Sequence, residues 1–156
     1  MKNTVFDSLM KALANYTSVN NLTKTADHLY MVEFNQTVVC FKFIQDSGNF
    51  LLFADLGKIP SNDQEAFFKM LLEANHALFA TAGATLAVCS ALNMVSLQYL
   101  GRSESLDEQQ FLNIVENFVS AAEFWRQKCT SHCQAHDATS DRKESHDFDS
   151  NLMLPV

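Results

Sequence analysis

Two cysteines and two histidines lie close together near the C-terminal end of the sequence: Cys129, His132, Cys133 and His136. Thiolate and imidazole are the ligands that zinc prefers in proteins. In structural zinc sites the ligands come as two pairs on separate turns, whereas here all four would crowd one helix end or one flexible segment. We therefore interpret them as thiols and imidazoles of a solvated tail and expect no metal site.

Thiol catalysis elsewhere in the chain would need a cysteine close to a histidine that a carboxylate orients. The candidates are Cys40 or Cys89 with His28 or His76. Both cysteines fall in apolar runs that predict strands, where a buried cysteine acts as a small hydrophobic residue. No G-x-x-x-x-G-K-[ST], G-x-G-x-x-G, H-E-x-x-H or G-x-S-x-G motif occurs either. We expect a protein that is not an enzyme and needs no cofactor.

The composition predicts one globular domain with a substantial core, since 47% of the 156 residues are hydrophobic, 19% are charged and 13 are phenylalanines. The formal charge is −7, and only Arg142-Lys143 place two basic residues side by side. We therefore expect no binding to nucleic acid. Asp7 interrupts the N-terminal region before an apolar signal segment can form, which favours a cytoplasmic protein with reduced thiols.

The segment from Ala77 to Leu100 contains no charged residue and is long enough to suggest a membrane span. Polar residues dilute it, however, and from Val95 to Tyr99 apolar and polar side chains alternate. A period of two predicts a strand, so we expect no contact with a membrane.

Hydrophobic spacing predicts three helices and five strands in the order α-β-β-β-α-β-β-α. Ser61 with Gln64, and Ser105 with Glu108, have the spacing of capping boxes at the starts of the second and third helices. The helices are expected at 4–19, 61–79 and 105–128, and the strands at 29–34, 38–44, 50–54, 85–90 and 94–100. Because hairpin-length links cannot join parallel neighbours, the fold class is α+β with a five-stranded, largely antiparallel sheet.

The composition changes after residue 128. Residues 1–128 are expected to form the folded domain, and residues 129–156, rich in His, Ser, Thr and Asp, an acidic disordered tail. One hypothesis for the apolar cluster Leu152-Met153-Leu154 is that it docks on the domain's own apolar surface.

Both faces of the first three predicted strands are apolar, and three helices can hardly cover both. Two interpretations stay open. The sheet can be enclosed within a dimer, in which case each face is ordinary core. Alternatively, part of this surface, or the free strand edge beside it, receives an apolar segment of a partner chain.

Four segments resemble the Tir-chaperone (CesT-like) family, the class I chaperones of bacterial type III secretion. They are Leu51–Pro60 with LG-x-x-P, Met70–Asn75 with LL-x-AN, Thr81–Leu86 with a T-x-G-AT turn, and Phe118–Arg126 with AE-x-W-R. Their order and spacing make the match specific, and it covers roughly residues 4–128. Ala82 stands where the family often has a second glycine.

The resemblance implies a small acidic homodimer in the bacterial cytoplasm that works without ATP. It would bind the N-terminal region of a secreted effector in an extended, secretion-competent form. The second helix and late strands would form the dimer interface, with Phe67, Leu71, Asn75, Leu78, Phe79, Leu86 and Val88. The first helix and early strands would bind the effector, with Tyr30, Phe34, Val39, Phe41, Phe43 and Phe53. An alternative is a homodimeric adaptor or regulatory domain of the same fold that binds a folded partner.

Overall fold

The structure, a computed structural model, describes the backbone of residues 2–17, 23–26 and 29–144 and the side chains of residues 4–16, 23–24 and 29–134. The helices in these ranges are α1 (Lys2–Thr17), α2 (Gln64–Ala74) and α3 (Glu108–Glu144), and the strands are β1 (Thr23–Ala26), β2 (Leu29–Phe34), β3 (Thr37–Ile44), β4 (Asn49–Lys58), β5 (Thr85–Cys89) and β6 (Met94–Arg102). Short 3-10 helices follow α2, β5 and β6 at His76–Thr81, Ser90–Leu92 and Ser103–Ser105.

The strands form one antiparallel sheet in the order β1-β2-β3-β4-β6-β5. Tight turns connect the central strands, with Asn35 (φ 54°) and Gly48 (φ 69°) in the left-handed conformation that such turns need. The predicted α+β class and antiparallel sheet are confirmed. The predicted count of five strands is wrong, because β1 has the short sequence Thr-Lys-Thr-Ala, which lacks the apolar alternation by which the other strands are recognised.

The core lies between one face of the sheet and the helices, mainly α1 and α3, with Phe67 and Leu71 of α2 completing it. Phe6 of α1 stacks on Phe43 of β3 at 5.2 Å between ring centroids, and Phe111 of α3 meets Phe50 of β4 edge-on at 5.6 Å. Gly101 pairs with Phe50 across the strands, and a Cβ there would lie 2.5 Å from the ring of Phe50. Phe6, Phe43, Phe50 and Phe111 therefore form one aromatic layer between the sheet and both helices.

Helix α2 begins and ends differently from the prediction. Its N-cap is Asp63, in the left-handed conformation and without a side-chain cap, while Gln64 Nε2 donates to the Pro60 carbonyl at 3.0 Å. Ser61 and Gln64 therefore do not form a capping box. The helix stops at Ala74 instead of running to about Phe79, because Ala77 (φ 57°) and Leu78 (φ 58°) both adopt left-handed backbone conformations.

Helix α3 begins with a capping box two residues later than predicted. The Gln110 amide donates to Asp107 Oδ1 at 2.7 Å, and the Asp107 amide donates to Gln110 Oε1 at 3.1 Å. Asp and Gln thus take the roles expected of Ser105 and Glu108.

Helix α3 also continues well beyond Lys128, its predicted end, to Glu144. The first added turn packs on the domain: Cys129 is buried, and the ring of His132 lies 5.2 Å from that of Phe67 on α2. The expected tail therefore begins as helix, through Glu144, and its disorder stays a prediction for residues 145–156, which lie outside the described part of the chain. None of the described helices is both long enough and apolar enough to cross a membrane.

Candidate protein-binding surfaces

Four of the six residues expected to bind an effector lie in the core of the single chain. Tyr30 is 8% exposed and Phe43 3%, while Val39 and Phe41 are fully buried. Tyr30 pairs with Phe41 across the strands, and Phe41 pairs with Leu52, so these side chains form rows that point toward α1 and α3. As placed here they support the fold and are not accessible to a partner.

The opposite side of the sheet carries the other set of apolar side chains, which we call the outer sheet face: Leu29, Met31, Val38, Cys40, Leu51, Phe53 and Leu100. Met31, Cys40 and Phe53 are direct neighbours on β2, β3 and β4. They are half-buried, whereas Val38 is 40% and Leu100 61% exposed. Of the predicted effector residues, Phe53 is the one that lies on this face.

The candidate thiols do not form a visible catalytic arrangement. Cys40 lies on the outer sheet face, where burial raises the pKa of its thiol, and Cys89 ends β5. Of the two histidines considered as partners for either cysteine, His28 lies outside the described residues and His76 is exposed. Within the described side chains, no three His, Cys, Asp or Glu residues are placed to hold a metal ion. The side chain of His136 lies outside that part.

A second apolar surface, the α2–β5 surface, consists of Leu72, Leu78, Phe79 and Val88. Leu72 is 71% and Phe79 91% exposed, and Leu78 and Val88 are 41% and 43% exposed. Three of these four were expected at the dimer interface; Leu72 was not, because sequence alone does not distinguish it from its buried neighbour Leu71. The other expected interface residues Phe67, Leu71 and Leu86 are buried in the core.

Asn75, the remaining expected interface residue, ties α2 to β5. Its side-chain amide donates to the Leu86 carbonyl at 3.0 Å, and its side-chain oxygen accepts from the Leu86 amide at 2.8 Å. This pair of bonds replaces a strand partner along the outer edge of β5. Asn75 therefore positions the α2–β5 surface without itself being prominent on it.

Two side-chain hydrogen bonds to backbone carbonyls fix the 3-10 turn that carries Phe79. The Trp125 indole donates to the Ala80 carbonyl at 2.9 Å, and the buried Thr81 hydroxyl donates to the Ala84 carbonyl at 2.6 Å. The left-handed conformations of Ala77 and Leu78 turn the chain out of α2 ahead of these anchors. These hydrogen bonds fix the backbone next to Phe79, so its exposed ring has a defined position. A partner could bind such a ring without first having to order the turn.

A cavity of about 450 Å³ lies between α1, the β2–β3 turn and α3, and we call it the α1–α3 groove. Its lining consists of Leu13, Tyr16, Phe34, Asn35, Leu112, Val115, Glu116, Val119, Ser120 and Glu123. The Tyr16 hydroxyl donates to Glu116 Oε1 at 2.6 Å, and this bond, together with the negative charge, raises the pKa of Tyr16. Asn35 Nδ2 donates to Glu123 Oε1 at 3.3 Å. Phe34 is the one predicted effector residue in the groove.

Residues 8–126 match the model of the Tir chaperone protein (CesT) family. The chain therefore belongs to this family, which confirms the resemblance of the four sequence segments. No curated protein matches the chain in sequence.

Several solved structures share the fold, among them a type III secretion chaperone from Yersinia pestis. The ExsC–ExsE complex aligns with a TM-score of 0.64 at 17% identity, over 78% of this chain and 91% of the other. The HopA1–SchA chaperone–effector complex gives 0.62 at 13%, over 80% and 95%. The Yersinia pestis type III secretion chaperone SycH, in complex with a stable fragment of YscM2, gives 0.58 at 14%, over 76% and 97%. At these identities the likeness establishes the fold.

Proposed function

We propose that this protein is an ATP-independent chaperone of the bacterial cytoplasm that binds the N-terminal region of a type III secreted effector in an extended, secretion-competent form. Membership of the Tir chaperone family carries the proposal. The SchA relative is described in complex with an effector, HopA1, and its fold is shared over most of this chain. The role is one of binding, with no catalytic step.

The outer sheet face supplies the kind of surface that this role needs. A disordered segment loses conformational entropy when it binds, on the order of 2–5 kcal/mol, and must recover it from a long apolar contact. The face continues across β2, β3 and β4 through the neighbours Met31, Cys40 and Phe53. Leu51 and Leu100 extend it from β4 to β6, where Gln98 stands opposite Phe53. At about 4.8 Å between strands, these four strands provide a track of about 14 Å.

The edge of the sheet adds a second mode of attachment. Strand β1 is the outermost strand next to β2, and it pairs on one side only within the described residues. An extended segment can add to such an edge through backbone hydrogen bonds, which form whatever its sequence, while its side-chain pattern sets the register. Of the predicted effector residues, Phe53 on the outer sheet face and Phe34 in the α1–α3 groove are the two that this proposal retains.

We also propose that the protein is a homodimer joined through the α2–β5 surface. Four large apolar side chains exposed on adjacent elements are costly to leave in water, and a two-fold axis would bury both copies of each at once. The net charge of −7 keeps such an apolar dimer soluble. Residues 1–128 would form the chaperone domain and 129–156 its appendage.

Co-expression with a cognate effector tests the function. We expect a complex of two chaperone chains and one effector, measured by light scattering after size exclusion, in which the bound effector segment stays cleavable by protease. Phe53→Asp should weaken the complex, because it places a charge in the middle of the apolar track. Phe124→Asp is the matched control, since Phe124 is 49% exposed on α3, on the other side of the sheet.

Two results would contradict the proposal. A partner that is compact and protease-resistant when bound would favour the adaptor alternative. Equal loss of binding in the Phe53 and Phe124 variants would show that the outer sheet face is not the binding track.

A further inference from the structure

The α1–α3 groove combines an apolar floor with acidic groups at its rim. Leu13, Phe34 and Val115 contribute apolar side chains from three different elements, and Tyr16 at the mouth is 58% exposed. Glu116 and Glu123 lie seven positions apart on α3, so they are on the same helix face, about 10 Å from each other along the axis. Such a groove favours an occupant that is both apolar and charged.

The two carboxylates have neutral partners only. Glu116 accepts from the Tyr16 hydroxyl and Glu123 from the Asn35 amide, each through Oε1. Neither makes an ion pair with a described residue, and no lysine, arginine or histidine lines the groove. The guanidinium of Arg126, one turn after Glu123, donates to the Gln36 carbonyl instead, at 2.5 Å. Among the described residues, neither carboxylate of the groove is therefore directly paired with a cation, and the nearest one on α3, Arg126, lines a neighbouring cavity with Glu123.

We propose that the α1–α3 groove selects a segment of the effector in which Lys or Arg flanks apolar side chains, with Glu116 and Glu123 as specificity-determining residues. This inference rests on the proposed function and adds the chemistry of the partner. The separation of about 10 Å between the carboxylates corresponds to about three residues of extended chain. Basic side chains at that spacing would reach both carboxylates while the residues between them fill the floor.

The chain's own apolar cluster Leu152-Met153-Leu154 is a poorer occupant. Its flanking sequence contains no Lys or Arg after Lys143, and Asp149 beside it would bring a like charge to Glu116 and Glu123.

Two labelled peptides of about twelve residues test the proposal without any effector. In one, two Arg stand three positions apart with Leu and Ile between them, and Ser fills the remaining positions; in the other, citrulline replaces each Arg. We expect the full-length protein to bind the Arg peptide about tenfold more tightly at low salt, as two charge pairs, one on exposed Glu116 and one on half-buried Glu123, would give. Fluorescence anisotropy measures both affinities, and about 0.5 M salt should remove most of the difference.

The Glu116→Gln/Glu123→Gln variant should lose this preference while it binds the citrulline peptide as before, because Gln still accepts the bonds from Tyr16 and Asn35. Asp46→Asn/Glu108→Gln is the matched control: it removes the same charge at two exposed positions outside the groove and should keep the preference. Equal binding of the two peptides by the unaltered protein, or a preference that survives in the Glu116/Glu123 variant, would overturn the proposal.

Other occupants give distinct results. If the full chain binds the Arg peptide only after Leu152, Met153 and Leu154 are changed to Ser, the tail is the occupant and the proposal is overturned. If peptide binding falls as the protein concentration rises, a second copy of the chain occupies the groove, and the proposal is likewise overturned. If the protein binds its effector but binds the Arg and citrulline peptides equally well, the inference about the groove is overturned and the proposed function stands. A Glu-dependent preference in a protein that binds no effector contradicts the proposed function instead.

Discussion

Phe41 and Phe53 belong to neighbouring strands of one sheet but point to opposite sides of it. Phe41 is fully buried and contacts Phe111 of α3 at 6.3 Å between ring centroids, whereas Phe53 is half-buried on the outer sheet face. The same side-chain type therefore serves the core at one position and a surface at the other. Truncation of each ring measures this difference directly.

Phe41→Ala should destabilise the chain by about 3–5 kcal/mol, the usual cost of removing a buried Phe ring, because the cavity between β3 and α3 cannot close. Phe53→Ala should lower the free energy of unfolding by a clearly smaller amount, since its ring is already partly in water. Urea denaturation followed by circular dichroism gives both values. Equal losses in the two variants would show that the outer sheet face is as buried as the core.

At this scale, the sequence predicts which residues are apolar but not which side of a strand faces the helices. In β2 to β4 both alternating sets of side chains are apolar, so the sequence pattern does not show which set faces the helices. A shift of one residue exchanges the two faces. Tyr30, Val39, Phe41 and Phe43 were expected on the binding surface for that reason. The helices decide the matter: the side chains of α1 and α3 that are buried meet this set and not the other.

Helix α3 does more than cover the sheet, because its continuation past Lys128 packs against the start of α2. Cys129 is buried, and His132 Nε2 lies 3.9 Å from Asp63 Oδ2 at the N-cap of α2. Desolvation, and then the charge of Cys133, raises the pKa of the Cys129 thiol to about 11. The thiol should therefore report whether this turn is folded onto the domain.

Cys129 should react most slowly of the four thiols with a disulfide reagent at pH 8, because it is both shielded and protonated. Its raised pKa favours the folded state fully below pH 9, and this contribution is lost as the pH rises from 9 to 11. Mass spectrometry of timed labelling identifies the slow site, and Cys129→Ala should remove the slow phase. Labelling of Cys129 as fast as that of half-buried Cys89 would contradict the packing of this turn.

Element boundaries were less predictable than the elements themselves. The helices and all but one strand occur where the hydrophobic periods place them, since periodicity records which side is buried. Boundaries depend on local polar contacts instead. Asp107 and Gln110 form the capping box of α3, although Ser105 and Glu108 have the same spacing in the sequence. After α2, the left-handed conformations of Ala77 and Leu78 end the helix, and no glycine or proline at these positions indicates this in the sequence.

At the scale of the whole molecule, the sequence predicted the family but not the groove. The family follows from short segments that keep their order along the chain. The α1–α3 groove brings together Leu13, Phe34 and Glu116, which are far apart in sequence and have no shared motif. Only the packing of α1 against α3, fixed in part by the Tyr16–Glu116 hydrogen bond, makes them neighbours.

The α2–β5 surface governs assembly if the protein is a dimer, and Phe79 is its most exposed side chain. Phe79→Asp should leave the stability of the single chain nearly unchanged, because the ring is 91% exposed there. It should weaken the dimer strongly: burial of one Phe is worth about 1.5–3 kcal/mol, and the two copies together correspond to roughly two to four orders of magnitude in Kd. Sedimentation equilibrium measures the dissociation constant, and Val5→Asp, a control at a 37% exposed position of α1, should leave it unaltered. A Phe79→Asp chain that dimerises as tightly as the unaltered protein would remove the α2–β5 surface from the interface, and the exposed Leu72, Leu78 and Val88 would then need another partner.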